Sequence, residues 1–196
     1  MMEADLKAQA ATAMGLLRGI SRASLPLEFD SALRTIHETD SAIRPRVQPD
    51  NAAQRLTSSH SLAFATREVA ELELSVEAAI TVVSRWLDPK VDGLQGLPAN
   101  AWRVQSDELV AAVANAREML EAAAMHWYYA SGVLDVTVTC WFNHIPLNVR
   151  EAGVQDARTS LASARDRLND ARASISKACA AATGARDAGK IILDFL

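Results

Sequence analysis

The chain has 196 residues, 49% hydrophobic and 22% charged, with a formal net charge of -4. That balance suits one globular domain with a sizeable core and speaks against a disordered or membrane-embedded chain. The acidic excess speaks against general nucleic-acid binding, which draws on a basic surplus.

The first twenty residues, MMEADLKAQAATAMGLLRGI, have an acidic start and no continuous apolar run, so they read as an opening helix rather than a secretory signal. A second helix is expected from about Pro26 to just before Pro45, because proline suits a first helical turn and the residue before a proline resists helix. These two short helices, within residues 1–47, make one broken rod. Asp50 can cap a third helix running over residues 50–87. The stretch DPKVDGLQGLPANAWRVQ, residues 88–105, then reads as the one long loop, and it carries Leu94, Leu97 and Trp102. Loops of this length often carry function, so these three residues are candidates for capping the fold or touching a partner.

Ser106 or Asp107 is expected to open a fourth helix, with acids in its first turn, over residues 107–145. Within it, VLDVTVTCWF is rich in β-branched residues, a composition that a strand would also favour. Helix is the better reading, because a heptad pattern runs through the stretch in phase. Pro146 marks a break, and a fifth helix over residues 148–196 contains no proline.

The heptad pattern carries most of the structural information. In the fifth segment Val154, Leu161, Leu168 and Ile175 share one phase, and Ala157, Ala164, Ala171, Ala178 and Ala185 stand three residues after it. The fourth segment sets Val113, Leu120, Trp127 and Leu134 against Leu109, Ala116, Ala123 and Ala130. The third sets Leu62, Val69, Val76 and Val83 against Ala65, Leu72 and Ala79. Alternating three- and four-residue spacing marks helices that pack at shallow angles. Alanine at every second such position lets backbones approach, and the large residues fill the layers between. The short turn HIPLN makes the fourth and fifth helices antiparallel neighbours. The expected fold is therefore all-α: a single domain, an elongated antiparallel up-down-up-down bundle of long coiled-coil-like helices with an Ala-rich seam.

No chemical motif stands out from this background. Glu68 with Glu71, and Glu118 with Glu121, form ExxE pairs, but a di-metal bundle also needs ExxH, which the chain lacks. Cys140 and His144 stand one helical turn apart without further ligands nearby in sequence, and packing is the simpler role. No phosphate loop, nucleophile elbow or dinucleotide fingerprint occurs. The two cysteines, Cys140 and Cys179, form no CxxC pair and read as small side chains in a reducing compartment. No catalytic, cofactor or metal residue is assigned.

Arg158, Arg165, Arg172 and Arg186 line up beside the alanine phase. They read either as a phosphate-binding stripe or as flanking charges paired with acids of a neighbouring helix, such as Glu68, Glu71, Glu73 and Glu77 of the third helix. Beside the fourth helix's heptad, Met119, Val133 and Cys140 flank one side, and Ala124, Val138 and Ile145 the other. Such breadth suggests burial on more than one face, by the chain's own helices or by a partner. The expectation is a cytoplasmic, non-enzymatic interaction or structural protein working through its helix faces, by self-association or by binding a protein. A membrane-acting bundle, a pore former or lipid-surface protein, is the alternative. Leu94, Leu97, Trp102, Arg158, Arg165 and Arg172 are the candidate contact residues.

Overall fold

The computed structural model describes residues 2–20, 25–42, 59–91, 97–142 and 146–195. The described residues form five helices: α1 (Met2–Ile20), α2 (Leu25–Ala42), α3 (Ser59–Val91), α4 (Leu97–Phe142) and α5 (Leu147–Phe195). No strand occurs among them. The β-branched stretch before Phe142 is helical, in phase with the heptad of the residues before it. None of these helices is long and apolar enough to cross a membrane.

The start of α4 corrects the expected loop over residues 88–105. Asp88–Val91 complete α3, and helix resumes at Leu97. Pro98 falls in the first turn of α4, where its missing N–H costs no intrahelical bond. Ala99 and Trp102 then continue the heptad upstream of Ser106 and Leu109, and all four are buried. Ser106 and Asp107 are thus interior to a helix rather than at its cap. Asp50 and Leu94 lie outside the described residues. At the other break, the Pro146 carbonyl accepts hydrogen bonds from the backbone N–H groups of Val149 and Arg150, at 3.1 and 3.3 Å, and so starts α5.

The chain divides into two compact units, and α3, α4 and α5 each contribute residues to both. Unit 1 comprises residues 1–24, 68–116 and 173–196. Its core is built from Met14 and Leu17 of α1, Val69, Val76 and Val83 of α3, Trp102, Leu109 and Val113 of α4, and Ile175 and Ile192 of α5. An added Cβ at Gly189 would overlap the Met14 methyl and lie 3.3 Å from the Trp102 ring, so this glycine makes room for both side chains. Gly184 likewise sits against the Gln105 side chain. Met14, Gln105, Trp102, Gly184 and Gly189 are large or small by position, not by chance of composition: where α5 supplies hydrogen, its neighbours supply bulk.

Unit 2 comprises residues 25–67 and 117–172. Phe29, Ala32 and Ile36 of α2 are buried with Leu120, Ala123, Trp127 and Ala130 of α4 and with Val154, Leu161 and Leu168 of α5. Direction can be read from paired contacts. Tyr129 meets Asp156 and Arg167 meets Met119, so partners on α5 fall in number as those on α4 rise. The same order holds in unit 1, where Asn115 meets Ser174 and Trp102 neighbours Gly189. On α2, Asp30 pairs with Arg172 and Asp40 with Arg158, again in opposed order.

Burial follows the heptad. On α5, Ala157, Ala164, Ala171, Ala178 and Ala185 are all buried, as are Val154, Leu161, Leu168, Ile175 and Ala182. On α4, every buried residue from Ala99 to Ala130 falls on the two heptad phases. Within the chain itself, full burial on α4 between Ala99 and Ala130 is confined to this one stripe. The flanking Met119, Ala124 and Val133 are half-buried; the side chains of Val138 and Cys140, and Ile145 altogether, lie outside what is described. Two phases at 3.5-residue spacing make a narrow buried stripe with half-buried flanks, and the side of α4 opposite it meets solvent.

One residue on that solvent side tests the assignment. Gly132 is exposed, and an added Cβ would meet nothing within 4 Å. Gly132→Ala is therefore expected to raise the unfolding free energy by about 0.5–1 kcal/mol, through helix propensity alone. Urea titration followed by circular dichroism checks this; a loss of stability would mean the position is packed.

Candidate functional site

The residues singled out from sequence do not converge. Leu97 opens α4. Trp102 lies inside α4, fully buried against the α5 backbone at Gly189, and so belongs to the core of unit 1 rather than to a contact loop. Its phase explains why: it stands four residues before Ser106 and seven before Leu109, on the stripe that the heptad turns inward.

The arginines divide by partner. Arg172 Nη1 reaches Asp30 Oδ1 at 3.0 Å, and Arg158 Nε approaches Asp40 Oδ1 at 3.9 Å, a charge contact longer than a hydrogen bond. Arg165 and Arg186 contact the aspartates next to them in sequence, Asp166 at 3.5 Å and Asp187 at 2.8 Å. For Arg158 and Arg172 these aspartates come from α2. Flanking charges pair with a helix that lies across from them, and in unit 2 α2 is such a helix. All these groups are about half exposed, so each pair is weak. Arg172→Ala should lower stability by about 0.2–1 kcal/mol, and Arg165→Ala by less. Parallel urea titrations of the two variants check the order.

Other candidate chemistry stays dispersed. Among the described residues no group of three or more His, Cys, Asp or Glu side chains stands together. Arg117 and Glu121 form an exposed ion pair one turn apart, at 3.6 Å. His144 lies outside the described residues. Burial pushes the Cys179 thiol up from its ordinary pKa, which lowers its thiolate fraction and its reactivity. The Ser106 hydroxyl is buried and finds no hydrogen-bond partner among the described residues, a local cost to unit 1.

Two surface features remain. The first is a groove of about 520 Å³ in unit 1, between α4 and α5. Ala111, Ala112, Ala180 and Ala181 leave its floor open, and Gln105, Glu108, Asn115 and Lys177 stand at its edges. Its polar groups largely satisfy one another. Asn115 Nδ2 donates to Ser174 Oγ at 2.6 Å, and Gln105 Nε2 donates to Glu108 Oε2 at 3.1 Å.

The second is an apolar run on α4 in unit 2. Met125, Tyr128, Tyr129 and Val136 are 70%, 59%, 53% and 60% exposed. With the open Gly132 they fall at spacings of three, four, seven and eleven from Met125, which is one face of a helix. The Tyr129 hydroxyl donates to Asp156 Oδ2 at 2.7 Å. That hydrogen bond, followed by the aspartate's charge and a little desolvation, raises the tyrosine's pKa. It also holds the ring in one orientation, bridged to α5. Seven residues further along α4 is Val136, and seven residues back along α5 from Asp156 is Val149, itself exposed. The antiparallel register places these two valines opposite each other, which extends the apolar surface across to α5.

Sequence reasoning passed over this face because it weighed the flanks of the heptad. The usable signal was different: large apolar residues on neither buried phase. Met125, Tyr128, Tyr129 and Val136 all meet that criterion. The chain matches no protein family, no curated protein and no solved structure.

Proposed function

We propose that the protein is an interaction module with no catalytic chemistry of its own: an antiparallel helical bundle, with coiled-coil-like spacing and an Ala-rich seam, that binds a protein partner through the outer face of α4. The observation that carries this reading is the exposed Met125–Tyr128–Tyr129–Val136 run. Four of the large exposed apolar side chains fall within twelve residues of one helix face. Scattered exposed apolar residues are ordinary, whereas a contiguous set marks a contact surface. Tyrosine and methionine suit such a surface. Tyrosine supplies rigid, amphipathic contact area at low entropic cost, and methionine adapts its shape to what it meets.

Supporting this reading, the same helix buries its heptad stripe inward. The apolar side chains on its other side therefore serve no core of their own chain. The experiment is selection of helical peptides from a phage-displayed library against the full chain, repeated on Met125→Ser/Tyr128→Ser. Enrichment of peptides that bind the wild type and lose binding to the double variant supports the reading. Equal enrichment on both proteins overturns it. A dye-release assay on phosphatidylglycerol vesicles separates the membrane reading: release by the wild type that the double variant abolishes would put a lipid surface in place of a protein.

A further inference from the structure

The charges around the α4 face narrow its partner. Read along the side that carries Met125, α4 presents Glu118, Glu121, Met125, Tyr128, Gly132 and Asp135, all exposed. Acids thus stand at both ends of the apolar run. Across from it on α5 are Asp156, which accepts the Tyr129 hydroxyl, and Glu151, also exposed. The basic groups of this neighbourhood are Arg117, paired with Glu121, the half-buried Arg150, and Arg167, which lies 3.6 Å from the Met119 sulfur and also pairs with Asp170. Acids therefore outnumber bases around the face. The other arginines of α5 in this unit lie elsewhere: Arg158, Arg165 and Arg172 stand two residues on from Asp156, Ser163 and Asp170, about 200° round the helix, and two of them pair with α2. The acids near the α4 face, Glu118, Glu121, Asp135, Glu151 and Asp156, thus exceed its bases, Arg117, Arg150 and Arg167.

Resting on the reading of this face as a docking surface, we infer that its occupant is a basic amphipathic helix of another protein. Leucine-type side chains on such a helix cover Met125, Tyr128 and the Val136–Val149 pair, and its lysines or arginines meet the acids at either end. Complementary charge of this kind selects the partner and speeds encounter, while the apolar core supplies most of the affinity. A second copy of this chain fits worse. A two-fold contact centred on Tyr128 would set Glu121 of one copy toward Asp135 of the other, acid against acid, twice over. Anionic lipid meets the same repulsion.

The test titrates the full chain by calorimetry with two synthetic 18-residue helical peptides. Both carry leucine at helical spacing; lysine fills the other positions of one and glutamate those of the other. The expected result is saturable one-to-one binding of the lysine peptide and none of the glutamate peptide. Met125→Ser/Tyr128→Ser keeps the charge and should weaken binding about tenfold or more. Glu118→Gln/Glu121→Gln keeps the apolar run and should flatten the salt dependence of binding. All four residues are exposed, and unchanged thermal unfolding of each variant confirms that the fold is intact. Lysine-peptide binding that survives unaltered in Met125→Ser/Tyr128→Ser overturns the inference, since charge alone would then explain it. If the glutamate peptide binds as well as the lysine peptide, the basic partner is wrong while the docking face stands. If neither peptide binds, and light scattering shows a dimer that the Met125/Tyr128 variant dissociates, a second copy is the occupant and the inference fails. If neither binds and the chain is monomeric, the docking reading falls with it.

Discussion

Trp102→Ala is expected to lower the unfolding free energy by about 3–5 kcal/mol, the largest effect of any substitution considered for this protein. The indole is 1% exposed, the largest fully buried side chain among the described residues. It lies over Gly189, a position where α5 carries no side chain, beside Met14 of α1. Removing it leaves a void whose lining comes from three helices, and helices cannot collapse as a loop would. The control is Val104→Ala, two residues on, where the side chain is 53% exposed and the change should stay within about 0.5 kcal/mol. Urea denaturation of both variants decides the matter. Similar small losses would mean that residues 97–105 are not a packed helix, and the correction made to the expected loop would be undone.

The second large effect concerns the alanine phase of α5. Ala171 is fully buried, and its neighbour Asp170 has a side chain 60% exposed, with its carboxylate 3.8 Å from Arg167. Ala171→Leu forces extra volume into a position that α5 keeps small, and should cost about 1–3 kcal/mol. Asp170→Leu adds comparable volume to the outer face and should shift stability by about 0.5 kcal/mol or less. The two substitutions differ by one residue and 100° of rotation. Chemical denaturation that gave equal losses at both positions would remove the argument for close helix approach at Ala171.

What could be read beforehand, and what could not, follows from these residues. The inward positions of α4 and α5 were legible because a helix projects side chains at a fixed angle per residue, so seven-residue spacing states a face whatever lies opposite. Ala157 to Ala185 and Val113 to Ala130 needed no tertiary information to be placed inside. The VLDVTVTCWF stretch was legible for the same reason: its phase continues that of Leu120 and Trp127. The boundary near Pro98 was misread because proline and glycine were weighed as breakers. Proline in a first turn is no breaker, and the phase of Ala99 and Trp102 was the better evidence.

The candidate site was less legible. A heptad names the face that turns inward, but it does not say which other faces are covered. Whether Met125, Tyr128, Tyr129 and Val136 meet another helix depends on how many neighbours α4 has, and only the packed structure answers that. The acids opposite Arg158 and Arg172 were out of reach for the same reason. Those arginines could have met α3 or α2, and nothing in their spacing distinguishes the two. Asp30 and Asp40 become their partners because α2 lies across from α5 in unit 2, with its chain running the other way. By itself, the sequence determined the all-helical content and the buried stripe of each long helix, since both depend on interactions within a turn or two of the chain. The tertiary structure decided which stripe meets which, which charges pair, and which apolar side chains remain on the surface. Those outcomes rest on contacts between residues far apart in sequence, and no local period encodes them.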